Sequence, residues 1–191
     1  MHKQIVFLGP MCAGKSTVAQ EVAEMLDMQH LPLDKMKWYY YYKLGYSEVK
    51  GNNIYEEYGL PGLAKYWEQF DLYTIENVLK EFPNGIIDCG AGQTYYENEI
   101  ERTRLKELFA PVNNLVLLMP TENLEESIQI LNYRMTERGK HREADEIRLA
   151  NEQNLRYIHS AVDNKLAKIT VYTHNKSLED VCTEIISRLT D

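Results

Sequence analysis

The chain alternates short apolar runs with longer amphipathic segments. Residues 5–8 and 115–119 are the clearest apolar runs, and others lie at 30–33, 86–89 and 169–172. Runs of this length, ended by glycine, proline or polar residues, are typical of strands buried in a parallel sheet. Apolar residues at helical spacing predict helices from Lys15 onward and over 97–109, 124–138, 144–166 and 178–189.

The order of these segments predicts the fold class. Strands that alternate with helices form right-handed βαβ units, so we expect an α/β fold of three αβα layers around a central parallel sheet of about five strands. Between residues 34 and 79 the pattern predicts helices broken at Gly45, at Gly51 and at 60–62. The length of 191 residues, without a linker or repeat, predicts a single domain over 1–191.

Composition narrows the possible partners. The 21 basic and 29 acidic residues give a net charge of −8, which argues against general nucleic-acid binding. No run approaches the length of a membrane span, and the N-terminus does not have the layout of a signal peptide. Three widely spaced cysteines form neither a disulfide framework nor a metal pattern, so we expect a protein of the reducing cytoplasm. We also expect it to be a monomer or a homodimer.

Residues 9–16 match the phosphate-binding pattern GxxxxGK[ST] between a strand and an amphipathic helix. The glycines let backbone N–H groups approach phosphates, and the helix N-terminus adds a positive dipole end. Lys15 would contact the β- and γ-phosphates, and the Ser16 hydroxyl would bind Mg²⁺. Cys12 is interpreted as a small filler of the loop. The predicted nucleotide-binding residues are Gly9, Pro10, Met11, Cys12, Ala13, Gly14, Lys15, Ser16 and Thr17.

Asp88 ends the third predicted strand and is a candidate second Mg²⁺ ligand. Carboxyl ends of parallel strands share one edge of the sheet, so Asp88 should face the same crevice as Ser16. The alternative is a strand-end aspartate that caps a turn. Gly90, Ala91 and Gly92 follow it and would let the backbone approach a substrate, or would simply make a tight turn.

The loop, the strand that ends in Gly-x-Gly and a charged break late in the chain together resemble shikimate kinase and its relatives among small P-loop kinases. The resemblance implies transfer of the γ-phosphoryl group of ATP to a hydroxyl group. It matches Asp34 to the second aspartate of an Asp-x-Asp pattern that contacts the acceptor, while Pro32 replaces the first. Asp34 is therefore a candidate catalytic residue, although it would also suit the N-cap of a helix over 35–43.

The same resemblance assigns the glycines at 90–92 to the acceptor site and a mobile basic lid to about residues 134–145. In the lid, Arg138 is the candidate catalytic arginine, and Arg134 and Arg142 are candidates for phosphate contacts. The alternative is a solvated helix end. Asn175 lies in a segment that resembles the adenine-contacting loop, where Ser177 is equally a helix N-cap.

Two arginines that hold the shikimate carboxylate in that family have no match here. Trp67 and Gln153 stand at those places, with Lys65 and Arg156 nearby, and lysine cannot form the bidentate guanidinium pair. The acceptor therefore stays open. The tyrosine-rich helical region at about 34–80 would either bind the acceptor or pack against the sheet.

These observations predict an ATP- and Mg²⁺-dependent kinase that phosphorylates a hydroxyl group of a small molecule. Two alternatives remain: a nucleoside or nucleotide kinase, in which tyrosines hold a base, and a regulatory P-loop ATPase that acts through a protein partner.

Overall fold

The computed structural model describes residues 4–138, 144–164 and 166–190. Within these residues a parallel five-stranded sheet has the order β2-β3-β1-β4-β5, which confirms the predicted fold class. Its strands are β1 (Ile5–Leu8), β2 (His30–Pro32), β3 (Ile86–Asp88), β4 (Asn114–Met119) and β5 (Ile169–Tyr172).

Helices follow each strand and flank the sheet. They are α1 (Lys15–Leu26), α2 (Leu33–Lys43), α3 (Glu48–Glu81), α4 (Glu99–Phe109), α5 (Leu124–Arg138), α6 (Ala144–Asn164) and α7 (Leu178–Arg188), with a short 3-10 helix at Ala91–Thr94. The central strands β1 and β4 are buried along their whole length, and α1 and α7 pack against each other and against the sheet. Among the described helices, none is long and apolar enough to cross a membrane.

The region between residues 34 and 79 is helical, as predicted, but its breaks differ from the prediction. Gly45, at a φ of 89°, does separate α2 from α3. The second break falls at Gly59, just before the predicted position. The predicted break at Gly51 is wrong, because Gly51 lies inside α3, where a Cβ atom would come within 2.5 Å of the Tyr46 hydroxyl. Its small size serves close packing there.

A cluster of aromatic residues in the tyrosine-rich region packs α2 against α3. Trp38, Tyr41 and Tyr46 contact one another and the rings of α3, and the Tyr41 hydroxyl donates to the buried Asp71 Oδ1 at 2.7 Å. Phe70 lies 5.2 Å from the Tyr41 ring centre. Packing therefore accounts for this aromatic cluster, although some tyrosines of α3 also face a cavity described below.

Candidate active site

The loop between β1 and α1 depends on two glycines. Gly9 has a φ of 147°, and a Cβ atom there would lie 2.5 Å from the Leu118 carbonyl oxygen of β4. Gly14 has a φ of 96° and is the N-cap of α1. Both conformations are rare for residues with a side chain. The loop consequently wraps tightly around the N-terminus of α1, with its N–H groups at the carboxyl edge of the sheet.

Lys15 lies at the centre of this loop and is only 9% exposed. Its Nζ donates to the carbonyl oxygens of Gly9 at 2.9 Å and of Pro10 at 3.0 Å. Burial lowers the pKa of Lys15, while the nearby carboxylates of Asp88 and Asp34 act in the opposite direction. The ammonium group is thus held between the loop and the two acidic residues that the sequence singled out.

Asp88, at the end of β3, is 5% exposed and accepts a hydrogen bond from the Ser16 hydroxyl. Burial raises its pKa, while the Ser16 hydrogen bond and the charge of Lys15 oppose that rise. His30 Nε2 lies 3.9 Å from the carboxylate. A carboxylate and a hydroxyl beside a phosphate-binding loop are the hard oxygen ligands that Mg²⁺ prefers. The residues at this point therefore fit a Mg²⁺ ion.

Asp34 does not cap its helix, so that interpretation is wrong. The N-cap of α2 is Pro32, because the helix begins earlier than predicted, and Asp34 lies in its first turn. Its exposed carboxylate packs on the backbone of Gly90, where a Cβ atom would come within 2.5 Å of Asp34 Oδ1. A side chain at residue 90 would therefore displace the Asp34 carboxylate from its present place. Gly92 has open space at its Cβ position and also lines a cavity described below.

A buried polar network behind Gly90 was not predicted. Gln93 Oε1 accepts from the Gly90 N–H at 2.7 Å. Asp71 is 5% exposed, and burial raises its pKa to about 7 against the opposing effects of the Tyr41 hydroxyl, Lys37 and the Gln93 amide. The sequence signal was an aspartate on the apolar face of α3, beside Phe70.

A cavity of about 870 Å³ opens beside the phosphate-binding loop. It lies between the part of α3 around its break, the segment after β3 and the helix α6. Its polar lining combines the cations of Lys50, Lys65 and Arg156 with several carboxylates, among them Glu68 and Glu101. The tyrosines that line it are Tyr58, Tyr66, Tyr95 and Tyr157. Its size suits a small organic ligand next to a bound nucleotide.

Helices α5 and α6 both reach the loop. Arg134 Nη1 donates to the Cys12 carbonyl oxygen at 3.3 Å, whereas Arg138 is exposed at the end of α5. Arg142 lies outside the described residues. From α6, the buried Asn154 forms two hydrogen bonds with Met11. Asn154 was not predicted, although a polar residue in the apolar stripe of α6 is a signal for a structural or functional hydrogen bond.

The predicted adenine loop follows β5 at the same edge of the sheet. Asn175 is exposed there, with a φ of 60°, a conformation that asparagine tolerates better than most residues. Ser177 caps α7, because its Oγ accepts from the Asp180 N–H at 3.1 Å while the Asp180 carboxylate accepts from the Ser177 N–H. The cap is confirmed, and contact of Asn175 with a nucleotide stays a prediction.

The parallel sheet, the glycine-dependent loop with its buried lysine, and the strand-end carboxylate are together the features of a P-loop phosphotransferase. The chain matches the family model described as shikimate kinase over residues 11–190, and it belongs to that family. It is accordingly an ATP-dependent kinase that phosphorylates a hydroxyl group of a small molecule.

Individual relatives agree with this assignment. A curated shikimate kinase from Dehalococcoides mccartyi is 28% identical over 181 residues, which cover 95% of this chain and 90% of the relative. Among solved structures, the shikimate kinase from Acinetobacter baumannii in complex with shikimate has a TM-score of 0.66 at 20% identity, covering 98% of this chain and 92% of that one. A gluconokinase from Sinorhizobium meliloti 1021 has a TM-score of 0.59 at 17% identity, with coverages of 96% and 89%. These two structures share the fold.

Proposed function

We propose that this chain transfers the γ-phosphoryl group of Mg²⁺-bound ATP to a hydroxyl group of a polyhydroxylated molecule in the cavity beside residues 9–16. The observation that carries the proposal is the meeting of Lys15, Asp88 and Asp34 at one edge of the sheet, next to that cavity. A binding loop alone would need neither the exposed carboxylate nor the second site.

The loop side supplies charge stabilisation. Lys15 leaves its carbonyl partners and contacts the β- and γ-phosphates, where a fixed positive charge stabilises the transferring group. Ser16 and Asp88 would hold Mg²⁺, and the ion would supply neutralisation of the phosphate charge. We also propose that residues 134–145 act as a lid, in which Arg134, Arg138 and Arg142 meet the phosphates. The bond from Arg134 to the Cys12 carbonyl supports that role for Arg134.

The acceptor side depends on Asp34. Its carboxylate is exposed and lies next to Gly90, so it is available to orient the acceptor hydroxyl or accept its proton. The cavity and the helices α2 and α3 would form the rest of the acceptor region.

Shikimate is the first acceptor to test, because relatives bear that name and one was solved with shikimate bound. Among the residues that the structure describes, the cavity is lined by one arginine, Arg156, and by the cations of Lys50 and Lys65, which can meet a carboxylate. Arg156 is already paired with Glu97 at 3.3 Å, an exposed pair that water and salt weaken. A panel should therefore include hydroxylated acids, neutral polyols and nucleosides.

The test is acceptor-dependent release of ADP from Mg²⁺–ATP. We expect at least one compound of the panel to raise ADP release in the wild type, and Lys15→Ala to reduce that rate by roughly 100-fold or more. Lys80→Ala is the matched control, because Lys80 is an exposed lysine that pairs with Glu76 near the end of α3, at the opposite edge of the sheet from the loop. ATP binding without stimulation by any acceptor would contradict the proposal, and protein-stimulated hydrolysis would favour a regulatory ATPase.

We further propose a cytoplasmic location and a monomeric or homodimeric state. All three cysteines, Cys12, Cys89 and Cys182, are free thiols, which a reducing compartment preserves. Cell fractionation and light scattering test the two statements separately.

A further inference from the structure

Asn154 is a buried polar residue of α6 that contacts the phosphate-binding loop. It is only 2% exposed. Its Oδ1 accepts from the Met11 N–H at 2.7 Å, and its Nδ2 donates to the Met11 carbonyl oxygen at 3.2 Å. One side chain therefore satisfies both backbone groups of a residue in the middle of the loop. Because 143 positions separate the two residues, this contact is a product of the tertiary fold.

The same stretch of α6 also faces the cavity. Gln153 and Arg156, which flank Asn154 closely in sequence, line it, and Met11 lines it from the loop. One turn further, the Tyr157 hydroxyl accepts a hydrogen bond from the Gly9 backbone. Met11 thus belongs to both sites: its backbone lies in the phosphate-binding loop, and the residue forms part of the cavity wall.

Peptide groups in an irregular loop can rotate unless hydrogen bonds hold them. Both peptide groups that flank Met11 are tied to Asn154, so neither can turn without breaking a buried hydrogen bond. Phosphoryl transfer requires the attacking and leaving oxygens to be roughly in line, and small displacements are costly for the rate. Met11 lies between the donor and acceptor sites, so a shift of its backbone would disturb the alignment of the two reacting oxygens.

We propose that Asn154 is a positioning residue for phosphoryl transfer, which aligns the donor phosphate with the acceptor by fixing Met11 between the two sites. The inference rests on the proposed function. The Lys15 ammonium group is held by the Gly9 and Pro10 carbonyl oxygens, so its place does not depend on the two bonds from Asn154 to Met11. Loss of Asn154 should therefore affect turnover more than nucleotide affinity.

The test compares Asn154→Leu with Ile158→Val. Leucine has a similar volume but makes neither bond to Met11, whereas Ile158 is fully buried one turn further along α6 and its truncation removes only packing. We expect Asn154→Leu to lower acceptor-dependent kcat by roughly tenfold or more, with the Kd for a non-hydrolysable ATP analogue within about threefold of the wild type. Ile158→Val should change neither, and thermal melts establish that both variants fold.

Two results would overturn the proposal. If Asn154→Leu lowers the melting temperature but leaves kcat at the wild-type value, Asn154 only stabilises the fold. If the Kd rises in parallel with the loss of kcat, Asn154 anchors the nucleotide instead. Failure of the proposed function would be visible in the wild type, as an absence of acceptor-dependent turnover. The same comparison then uses the slow hydrolysis of ATP, in which water takes the place of the acceptor.

Discussion

Buried charge is concentrated at the carboxyl edge of the sheet. Lys15, Asp88 and Asp71 are each less than one-tenth exposed, and each lies close to an oppositely charged or hydrogen-bonding group. Burial without such partners would cost several kcal/mol for each charge. The folded protein therefore keeps these groups at some expense in stability, which is expected where charge has to be fixed for catalysis.

Asp71 gives a prediction about stability and pH. Its folded pKa of about 7 lies above the ordinary value of 3.8, so the folded protein retains a proton that the unfolded chain releases. This contribution destabilises the protein as pH rises from about 4 to 7, by up to about 4 kcal/mol. Asparagine at this position retains an oxygen that can accept the Tyr41 hydrogen bond, and it carries no charge. We expect Asp71→Asn to be more stable than the wild type at pH 8.

Urea unfolding at pH 5 and pH 8 measures this difference. The gain from Asp71→Asn should be larger at pH 8 than at pH 5, because the wild-type carboxyl is largely protonated at pH 5. The other charged groups near Asp71, Lys37 and Asp34, are common to both proteins and largely cancel in the comparison. Equal destabilisation at both values would show that the carboxylate itself is needed, for example through its contact with Tyr41.

At the scale of elements, the break in α3 shapes the acceptor side. Gly59 has φ 65° and ψ −163°, and Leu60, Pro61 and Gly62 beyond it line the cavity. This conformation is essentially restricted to glycine, and proline then resumes the helix at a position where it needs no N–H bond. The break thus directs the second half of α3 past the cavity.

Replacing Gly59 tests this account. Gly59→Ala should lower the free energy of unfolding by about 1–3 kcal/mol through backbone strain, since no atom within 3.4 Å would clash with the new Cβ atom. Gly92→Ala is the matched control for stability, because Gly92 has no positive φ and open space around it. Denaturant unfolding checks both variants. If the two variants have the same free energy of unfolding, the backbone at residue 59 adapts to alanine without strain, which would contradict this account.

At the scale of the whole molecule, ligand binding should couple to global stability. The loop joins β1 to α1 at the centre of the sheet, so nucleotide bound there stabilises the native state and not the unfolded chain. An ATP analogue with Mg²⁺ at about 100 times its Kd should add about 2.7 kcal/mol. We expect a rise in the melting temperature of the wild type and a smaller one in Lys15→Ala. An unchanged wild-type melting temperature would contradict nucleotide binding.

The sequence by itself determined the features that depend on neighbours along the chain. Periodicity located the strands and most helices, because local hydrogen bonding and alternation of apolar residues decide those elements. The loop at 9–16 was recognisable because glycines, lysine and serine must stand at fixed spacing to surround phosphates. Asp88 was located by its place at the end of a strand, because strand ends share one edge of a parallel sheet. Asp34 was located by its match to the Asp-x-Asp pattern of the shikimate kinases that the sequence resembles.

Tertiary structure alone decided the rest. Gly51 was predicted as a break because glycine disfavours helices, but it lies buried inside α3, closely packed against Tyr46. The Tyr41–Asp71 bond and the two bonds from Asn154 to Met11 join residues 30 and 143 positions apart, and no local pattern encodes such pairs. The residues of the donor site form a contiguous sequence motif, whereas the acceptor cavity is assembled from separate helices by packing. The sequence therefore identified the donor site and left the acceptor open.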